Sequence, residues 1–341
     1  MTQDSPSRRV VPVLVPAPAE RPYSYSVPPG MEAAAGAVVR VPLGPREVAG
    51  IVWDGQADAV DARKLRPISQ VFDCPPLGAD ALRFVEWVAN WTLSAPGMVA
   101  RMFLRAPAAF DPEPMLDGMR FRGGEPDRMT DARRRVLEIA GDGMAWTRSG
   151  LAHAAGVSTS VVDGLAGQGL FERIAIPPPP VAATPDPAYA RPVLSPDQQA
   201  AADALRQKVG DGFSVTLLDG VTGSGKTEVY LEAVAAALEA GRQVLVLVPE
   251  IALTAAFLER FQDRFGAKPA EWHSDLSPRM RERVWRQVAE GRVKVVAGAR
   301  SALFLPFRDL GLIAVDEEHD PAYKQEDRVF YNARDMAVVR G

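Results

Sequence analysis

The feature that most constrains the fold of this chain is the run Gly220-Val221-Thr222-Gly223-Ser224-Gly225-Lys226-Thr227. It has the spacing of a phosphate-binding loop and lies between an apolar run at residues 215–218 and a predicted helix at 228–240. The glycines allow the backbone to curl so that N–H groups face a phosphate, and the helix that follows adds its dipole. A strand, such a loop and a helix in succession predict an α/β sheet that binds a nucleotide phosphate.

Two side chains of this loop have specific predicted roles. Lys226 is expected to reach the β- and γ-phosphates, and the Thr227 hydroxyl is expected to bind Mg²⁺. The other positions expected to contact the phosphates are Gly220, Gly223, Ser224 and Gly225.

A pair of acids follows the apolar run at residues 312–315. Asp316 and Glu317 are expected at the carboxyl edge of the sheet, where open α/β sheets bind their ligands. We predict that Asp316 holds Mg²⁺ and that Glu317 polarises an attacking water molecule, with Lys226, Asp316 and Glu317 as catalytic residues. A solvated acidic turn is the alternative. So soon after a phosphate-binding loop, nucleotide hydrolysis is the better interpretation.

Residues 194–341 alternate predicted strands with predicted helices. Apolar runs predict strands at 215–218, 244–248, 293–297 and 312–315, and helical stretches are expected at 228–240, 254–265 and 278–290. This alternation is typical of a parallel sheet that is covered on both faces.

The N-terminal region, residues 8–105, is predicted to be a small β-rich domain. Its β-branched runs lie at 10–15, 37–42 and 48–53, and two tryptophan-bearing helices are expected at 79–91 and near 97–103. This region alone does not indicate a function.

Residues 128–175 have the pattern of a winged helix. A helix is expected at 131–140, followed by a helix-turn-helix in which Gly156 permits the turn and Ser158 caps the second helix. Residues 169–174 are predicted to begin a wing. Because the presumed recognition helix at 159–167 contains no Lys or Arg, a structural or strand-steering role is favoured over sequence reading.

A proline-rich stretch at residues 176–193 separates this region from the α/β part. Such a stretch cannot hold a helix or a central strand, so we predict a stiff interdomain linker, with a proline-rich partner ligand as the alternative.

Composition excludes several classes of protein. The 341 residues predict two or three soluble domains, and the net charge of −4 means that any DNA contact must come from local clusters. The single cysteine, Cys74, cannot form an internal disulfide or a zinc site, which fits the cytoplasm. No apolar run is long enough for a membrane span or an export signal.

Two further loops follow predicted strands, at residues 248–254 and 298–304. Thr254, Arg300 and Ser301 in these loops are candidates to grip a sugar-phosphate backbone. Ordinary loops with a helix cap at Thr254 are the alternative.

Together these motifs resemble the PriA family of superfamily 2 DNA helicases. The resemblance is carried by residues 221–230, 248–254, 300–304, 316–320, 323–325 and 331–335, and it is weaker before residue 194. It implies a multidomain protein: a β-rich 3′-end DNA-binding domain, a winged helix and one RecA-like helicase lobe. It also implies an ATP- and Mg²⁺-dependent 3′-to-5′ helicase that recognises stalled or abandoned forks and initiates primosome assembly.

Further residues acquire roles only through this resemblance. Gln198 matches an adenine-reading glutamine, and Tyr23, Gly44 and Arg66 match a pocket for the 3′ terminus. Four positions depart from the family pattern and bear on end recognition and on coupling of DNA binding to hydrolysis: Ser24, Ala299, Val329 and Asn332. The expected partners are forked and single-stranded DNA, single-strand-binding protein and other primosome proteins. A monomer associated with the nucleoid is expected.

The sequence ends at Gly341, before the family's second motor lobe and its zinc-binding cysteines. Zinc is therefore expected only in that missing part, and this chain alone is expected to bind Mg-ATP weakly and to hydrolyse it barely or not at all. One alternative function is a fork-structure-binding platform without ATP turnover. A P-loop kinase or transporter subunit, which predicts no DNA affinity, is a third possibility.

Overall fold

The computed structural model describes residues 9–55, 64–221, 223–249 and 255–341. The chain divides into two compact units, Met1–Pro112 together with Pro180–Gly341, and Glu113–Pro179. Within the described ranges, no helix has the length and apolar character needed to cross a membrane.

The first unit begins with a six-stranded sheet. Its strands are β1 (Val10–Leu14), β2 (Tyr23–Ser26), β3 (Val38–Leu43), β4 (Arg46–Val52), β5 (Arg66–Pro67) and β6 (Gln70–Val71), in the order β5-β2-β1-β4-β3-β6. All pairs are antiparallel except β2 with β5. Alternate residues of β1 and β3, among them Val13 and Val41, are fully buried in one core, as expected for strands with one covered face. The predicted β-rich character is therefore observed.

Two helices follow this sheet and join it to the α/β lobe of the same unit. They are α1 (Ala79–Thr92) and α2 (Pro96–Phe103), followed by a 3₁₀ turn at Pro107–Phe110. The rings of Phe84 and Phe103 lie 5.4 and 5.6 Å from the ring of Phe304, and the Trp285 indole donates a 2.8 Å hydrogen bond to the Phe103 carbonyl. One aromatic core thus belongs to both parts.

The second unit contains three strands and three helices. In chain order they are β7 (Leu116–Phe121), α3 (Asp131–Ala140), β8 (Ala145–Thr147), α4 (Arg148–Ala154), α5 (Thr159–Gly167) and β9 (Phe171–Ile176). The turn between α4 and α5 contains Gly156 at φ 61°, a left-handed conformation that favours glycine. Ser158 precedes α5, but its hydroxyl lies 2.7 Å from the Ser160 hydroxyl instead of bonding the helix backbone.

The predicted wing of this unit differs from the observed pairing. The strand β9 forms where a wing strand was expected, but it pairs with β7, which precedes the helices, in the sheet order β8-β7-β9. Among the described residues of the unit, no strand after β9 completes a hairpin with it. Sequence spacing identifies a strand but not its partner, because the partner lies far away along the chain.

The α/β lobe of the first unit is built on a parallel sheet. Its strands are β10 (Gln243–Leu247), β11 (Ala270–Trp272), β12 (Val295–Gly298) and β13 (Leu310–Val315), in the order β11-β12-β10-β13. Along β10, Leu245 and Leu247 enter one core, and Val244 and Val246 enter another, so both faces of the sheet are covered.

The lobe also contains five helices within its described residues. They are α6 (Pro196–Lys208), α7 (Lys226–Glu239), α8 (Ala255–Phe265), α9 (Pro278–Ala289) and α10 (Ala333–Arg340), with 3₁₀ turns at Arg300–Phe304 and Pro321–Tyr323. A small hairpin consists of β14 (Lys324–Gln325) and β15 (Tyr331–Asn332).

The strand predicted at residues 215–218 does not form. Val215 and Leu217 are 60% and 77% exposed, and within the described part of the lobe β13 pairs only with β10. A β-branched run becomes a strand only where a neighbouring strand and a covering layer pack against it. Here the side chains of this segment lack that cover, so the prediction was wrong.

Candidate nucleotide and DNA sites

The phosphate-binding loop leads directly into a helix, as predicted. Gly223 and Gly225 both have φ near +81°, and Gly225 is the residue before α7, which begins at Lys226. The Lys226 ammonium donates to the carbonyl oxygens of Gly220, at 2.7 Å, and of Val221, at 3.2 Å. Thr222 lies outside the described residues. The lysine is thus held over the mouth of the loop by contacts that a phosphate can replace.

Gln198, the residue matched to adenine reading, contacts this loop. It lies in the first turn of α6, where it forms a capping box with Ser195. Its side-chain oxygen accepts from the Ser195 backbone N–H at 2.9 Å, and its amide nitrogen donates to the Ser224 carbonyl at 2.8 Å. A side chain added at Gly225 would meet the same amide, so this position requires glycine both for its φ and for space.

The acid pair lies at the carboxyl end of β13, next to β10. The Asp316 N–H donates to the Leu247 carbonyl at 2.9 Å, and one carboxylate oxygen of Asp316 accepts from the Glu317 N–H at 2.9 Å. Glu317 itself has φ 46°, an unfavourable conformation for a residue with a side chain. Backbone strain of this kind is concentrated at functional sites, which supports a role for this residue.

Neighbouring side chains fix the rest of the acidic loop. The Arg334 guanidinium on α10 lies 2.9 Å from the Glu318 carboxylate, and the His319 imidazole lies 3.6 Å from the Glu317 carboxylate. Glu317 is therefore left facing a histidine, whereas Glu318 is paired with an arginine.

Tyr230 connects the loop helix to the acid and was not predicted. Its hydroxyl donates to the second carboxylate oxygen of Asp316 at 3.0 Å. Burial, followed by the nearby Asp316 charge, raises the pKa of the Tyr230 phenol well above its usual value. The sequence did contain one signal for Tyr230. It follows Thr227 by three positions, and residues three positions apart on a helix share a face.

The donor set fits a magnesium ion. Thr227 and Asp316 present a hydroxyl and a carboxylate, the hard oxygen ligands that Mg²⁺ takes alongside phosphate and water, and the Asp316 carboxylate is held by the Tyr230 phenol. No group of three or more His, Cys, Asp or Glu that could hold a metal occurs among the described residues.

A pocket of about 420 Å³ opens at the carboxyl ends of β10, β11 and β12. Its lining includes three arginines, Arg105, Arg281 and Arg300, none of which has an ion-pair partner among the residues described. The pKa of Arg105 is lowered, first by partial burial and also by the charges of Arg101 and Arg281. A concave site with positive charge that has no ion-pair partner among the described residues favours an anion, such as a phosphate group.

Two predicted DNA contacts, Arg300 and Ser301, line this pocket. The Ser301 hydroxyl accepts from the Trp272 indole at 3.1 Å, and the Arg300 guanidinium donates to the carbonyls of Ala322 and Lys324. The third predicted contact, Thr254, lies outside the described residues. Arg105 and Arg281 were not predicted, because neither belongs to a recognisable motif.

The residues matched to a 3′-terminus pocket lie at one end of the N-terminal sheet. The Arg66 guanidinium on β5 donates to the Gly44 carbonyl at 2.9 Å, and Gly44 has φ 60° in the turn between β3 and β4. Tyr23 is 44% exposed on β2, the neighbour of β5. Tyr25, whose hydroxyl donates to the Pro42 carbonyl at 2.9 Å, lies behind them. The pKa of Tyr25 is raised, mainly by burial.

Three of the four positions that differ from the family pattern have structural roles. Asn332 caps α10 by accepting from the Arg334 N–H at 3.0 Å, Val329 is buried, and the Ala299 N–H donates to the Trp272 carbonyl at 3.0 Å. Each substitution is thus compatible with a folded loop.

Comparison with known protein families defines the class of protein. Residues 12–105 match the 3′DNA-binding domain (3′BD) family of PriA, and residues 195–339 match the DEAD/DEAH box helicase family. The chain therefore combines a 3′DNA-binding domain with a helicase domain.

Individual relatives identify the family. Replication restart protein PriA of Rickettsia felis is 31% identical over 334 residues, covering 98% of this chain and 41% of the relative. PriA of Haemophilus influenzae is 33% identical over 97% of this chain and 47% of the relative. PriA of Bacillus subtilis is 45% identical over 148 residues. The chain belongs to the PriA family and spans less than half the length of these relatives.

Proposed function

We propose that this protein acts as an ATP-dependent 3′-to-5′ DNA helicase of replication restart, which recognises stalled or abandoned forks and initiates primosome assembly. The observation that carries the proposal is the position of two sites at one edge of one sheet. The phosphate-binding loop with Thr227 and Asp316 lies beside a pocket whose three arginines have no ion-pair partner among the described residues. A nucleotide and a phosphodiester chain would thus meet at neighbouring strand ends.

Hydrolysis follows from the residues of the first site. Lys226 exchanges the carbonyls of Gly220 and Val221 for phosphate oxygens, and Gln198 reads the adenine. Thr227 and Asp316 hold Mg²⁺, which supplies charge neutralisation at the β- and γ-phosphates when bound. Glu317 polarises the water that attacks the γ-phosphate.

DNA binding follows from the other sites. Arg105, Arg281 and Arg300 bind backbone phosphates, since the pocket offers no carboxylate within the described residues to neutralise them. Tyr23, Gly44 and Arg66 bind the 3′ end of a strand. Single-strand-binding protein and other primosome proteins are partners in the same proposal.

Nucleotide binding is tested with a fluorescent nucleotide. Titration with Mg²⁺ and an N-methylanthraniloyl (mant) derivative of ATP should give saturable binding that Lys226→Ala weakens at least tenfold. The Lys208→Ala variant is the matched control, since the Lys208 ammonium donates to the Thr216 hydroxyl and the variant should bind as wild type. Equal nucleotide affinity of the Lys226→Ala variant and the wild type would contradict the proposed binding and hydrolysis of ATP at this loop.

End recognition is tested with two oligonucleotides. Arg66→Ala should lower affinity for a fork with a free 3′ end more than for the same fork with a blocked 3′ end. The control is Arg46→Ala, an exposed arginine on β4. A uniform loss on both substrates would assign Arg66 to general phosphate binding instead.

A second candidate function is a fork-structure-binding platform without ATP turnover. The exposed segment with Val215 and Leu217 favours it, because no neighbouring strand among the described residues supports the chain that leads into the phosphate-binding loop. Lys226→Ala placed in a full-length relative separates the two functions, since unchanged fork unwinding would leave only the platform.

A further inference from the structure

Tyr230 contacts one of the two residues that the proposed function assigns to magnesium and shares a helix with the other. It is on α7, one helical turn after Lys226, and its hydroxyl lies 3.0 Å from Asp316 Oδ2. Thr227 precedes Tyr230 by three positions on the same face of α7. The phenol therefore connects the helix of the phosphate-binding loop to the acid at the end of β13.

We infer that Tyr230 is a positioning residue, whose hydroxyl orients the Asp316 carboxylate before a nucleotide-bound divalent cation arrives. The inference rests on the proposed function and adds to it a residue outside the phosphate-binding and acidic motifs. Oriented ligands that need no rearrangement bind a metal more tightly, because less conformational entropy is lost.

The direction of the hydrogen bonds leaves the ligand oxygens available. The phenol donates its single proton to Asp316 Oδ2. The two Asp316 oxygens each accept one hydrogen bond, from Tyr230 and from the Glu317 N–H, and each keeps a lone pair for a cation.

A purely structural role predicts a different result from a positioning role. Removing the hydroxyl of a structural tyrosine lowers stability and affects nucleotide binding equally with and without metal. Removing the hydroxyl of a positioning residue lowers only the gain in nucleotide affinity that the metal provides. The ratio of the two affinities separates these roles.

The experiment measures mant-ADP affinity of the 341-residue chain with Mg²⁺ and with EDTA. For Tyr230→Phe, we expect the Mg²⁺-dependent gain to fall about tenfold, the scale for residues that orient metal ligands. The affinity in EDTA and the melting temperature should stay close to wild type. Tyr331→Phe, a buried tyrosine of the same lobe with no contact to Asp316, is the matched control and should keep the full gain.

The outcomes distinguish this inference from the proposed function. An unchanged gain in Tyr230→Phe, or an equal fall in EDTA, overturns the positioning role while Asp316→Asn still loses the gain. Absence of any Mg²⁺-dependent gain in the wild-type chain overturns the proposed metal site, and the positioning role with it.

Discussion

The phenol oxygen of Tyr323 lies 2.6 Å from the main-chain oxygen of Asp316 at the end of β13. The same hydroxyl lies 3.0 Å from the main-chain oxygen of Leu247 at the end of β10, and Tyr323 is almost completely buried. Arg300 binds the carbonyls on either side of Tyr323. The arginine pocket and the acid of the nucleotide site therefore share one short segment of chain.

Loss of the Tyr323 hydroxyl should destabilise this edge of the sheet. Tyr323→Phe is expected to lower the free energy of unfolding by about 1–2 kcal/mol, since the one phenol proton that the Leu247 and Asp316 carbonyls share is lost. Urea unfolding followed by tryptophan fluorescence measures the change. Tyr331→Phe removes a buried phenol for which no hydrogen bond is found among the described residues, so a similar loss there would contradict this explanation.

Each arginine of the pocket should contribute to DNA affinity in a salt-dependent way. Arg105→Ala, Arg281→Ala and Arg300→Ala are each expected to weaken binding of a single-stranded oligonucleotide. Each should also reduce the slope of log affinity against log salt by about one, because one phosphate contact is lost. Fluorescence anisotropy over a salt series provides both numbers. Arg292, which pairs with Glu290 at 3.3 Å, supplies the control. An equal effect of Arg292→Ala would show that the pocket arginines contribute no more to DNA affinity than an arginine outside the pocket.

A buried ion pair joins three helices of the lobe and should be important for stability. The Glu232 carboxylate on α7 accepts two hydrogen bonds from Arg264 on α8, at 2.7 and 3.0 Å, and lies 3.6 Å from Arg206 on α6. Glu232→Gln is expected to cost about 3–5 kcal/mol of unfolding free energy, because Arg264 stays buried without its counter-charge.

Glu239 is the matched control for this substitution. It pairs with Arg206 at 2.7 Å but is 39% exposed, so Glu239→Gln should cost about 0–1 kcal/mol. Chemical denaturation of both variants checks the difference. Equal effects would mean that burial of the pair is not what makes it stabilising.

Cys74 should be nearly inert in the folded protein. Burial, as the largest cause, raises the pKa of its thiol to about 12, so the folded state favours the neutral thiol. Alkylation by iodoacetamide should therefore be about a thousandfold slower at pH 8.5 than in urea, where a free thiol has a pKa near 8.5. The native rate should keep rising with pH toward 12, and a plateau near pH 9 would rule out the raised pKa.

The strands of the lobe were predictable because burial on both faces leaves a continuous apolar run. The observed β10, β12 and β13 lie within two residues of the predicted ranges. Residues 215–218 carry the same pattern but are exposed. An apolar run shows that a segment can be buried in a core. It does not show whether a neighbouring strand and a covering layer are present to bury it.

The loop glycines were also predictable, because Gly223 and Gly225 adopt a positive φ that other residues avoid. Tyr230 was missed although its spacing from Thr227 placed it on the same helix face. Arg105 and Arg281 could not be predicted from spacing, since only the tertiary structure brings them to one pocket. Sites made by motifs are thus easier to foresee than sites made by folding.

The aromatic core around Phe304 has a consequence for the distance between the two proposed DNA sites. Phe84 and Phe103 from the N-terminal helices and Trp285 from the lobe pack into one interior, which joins the N-terminal sheet to the lobe that contains the arginine pocket. Because a close-packed interior resists deformation, the separation between Arg66 and the pocket should stay nearly constant. Under the proposed function, a DNA strand bound at both places would span a fixed number of nucleotides, set by the packing of buried side chains.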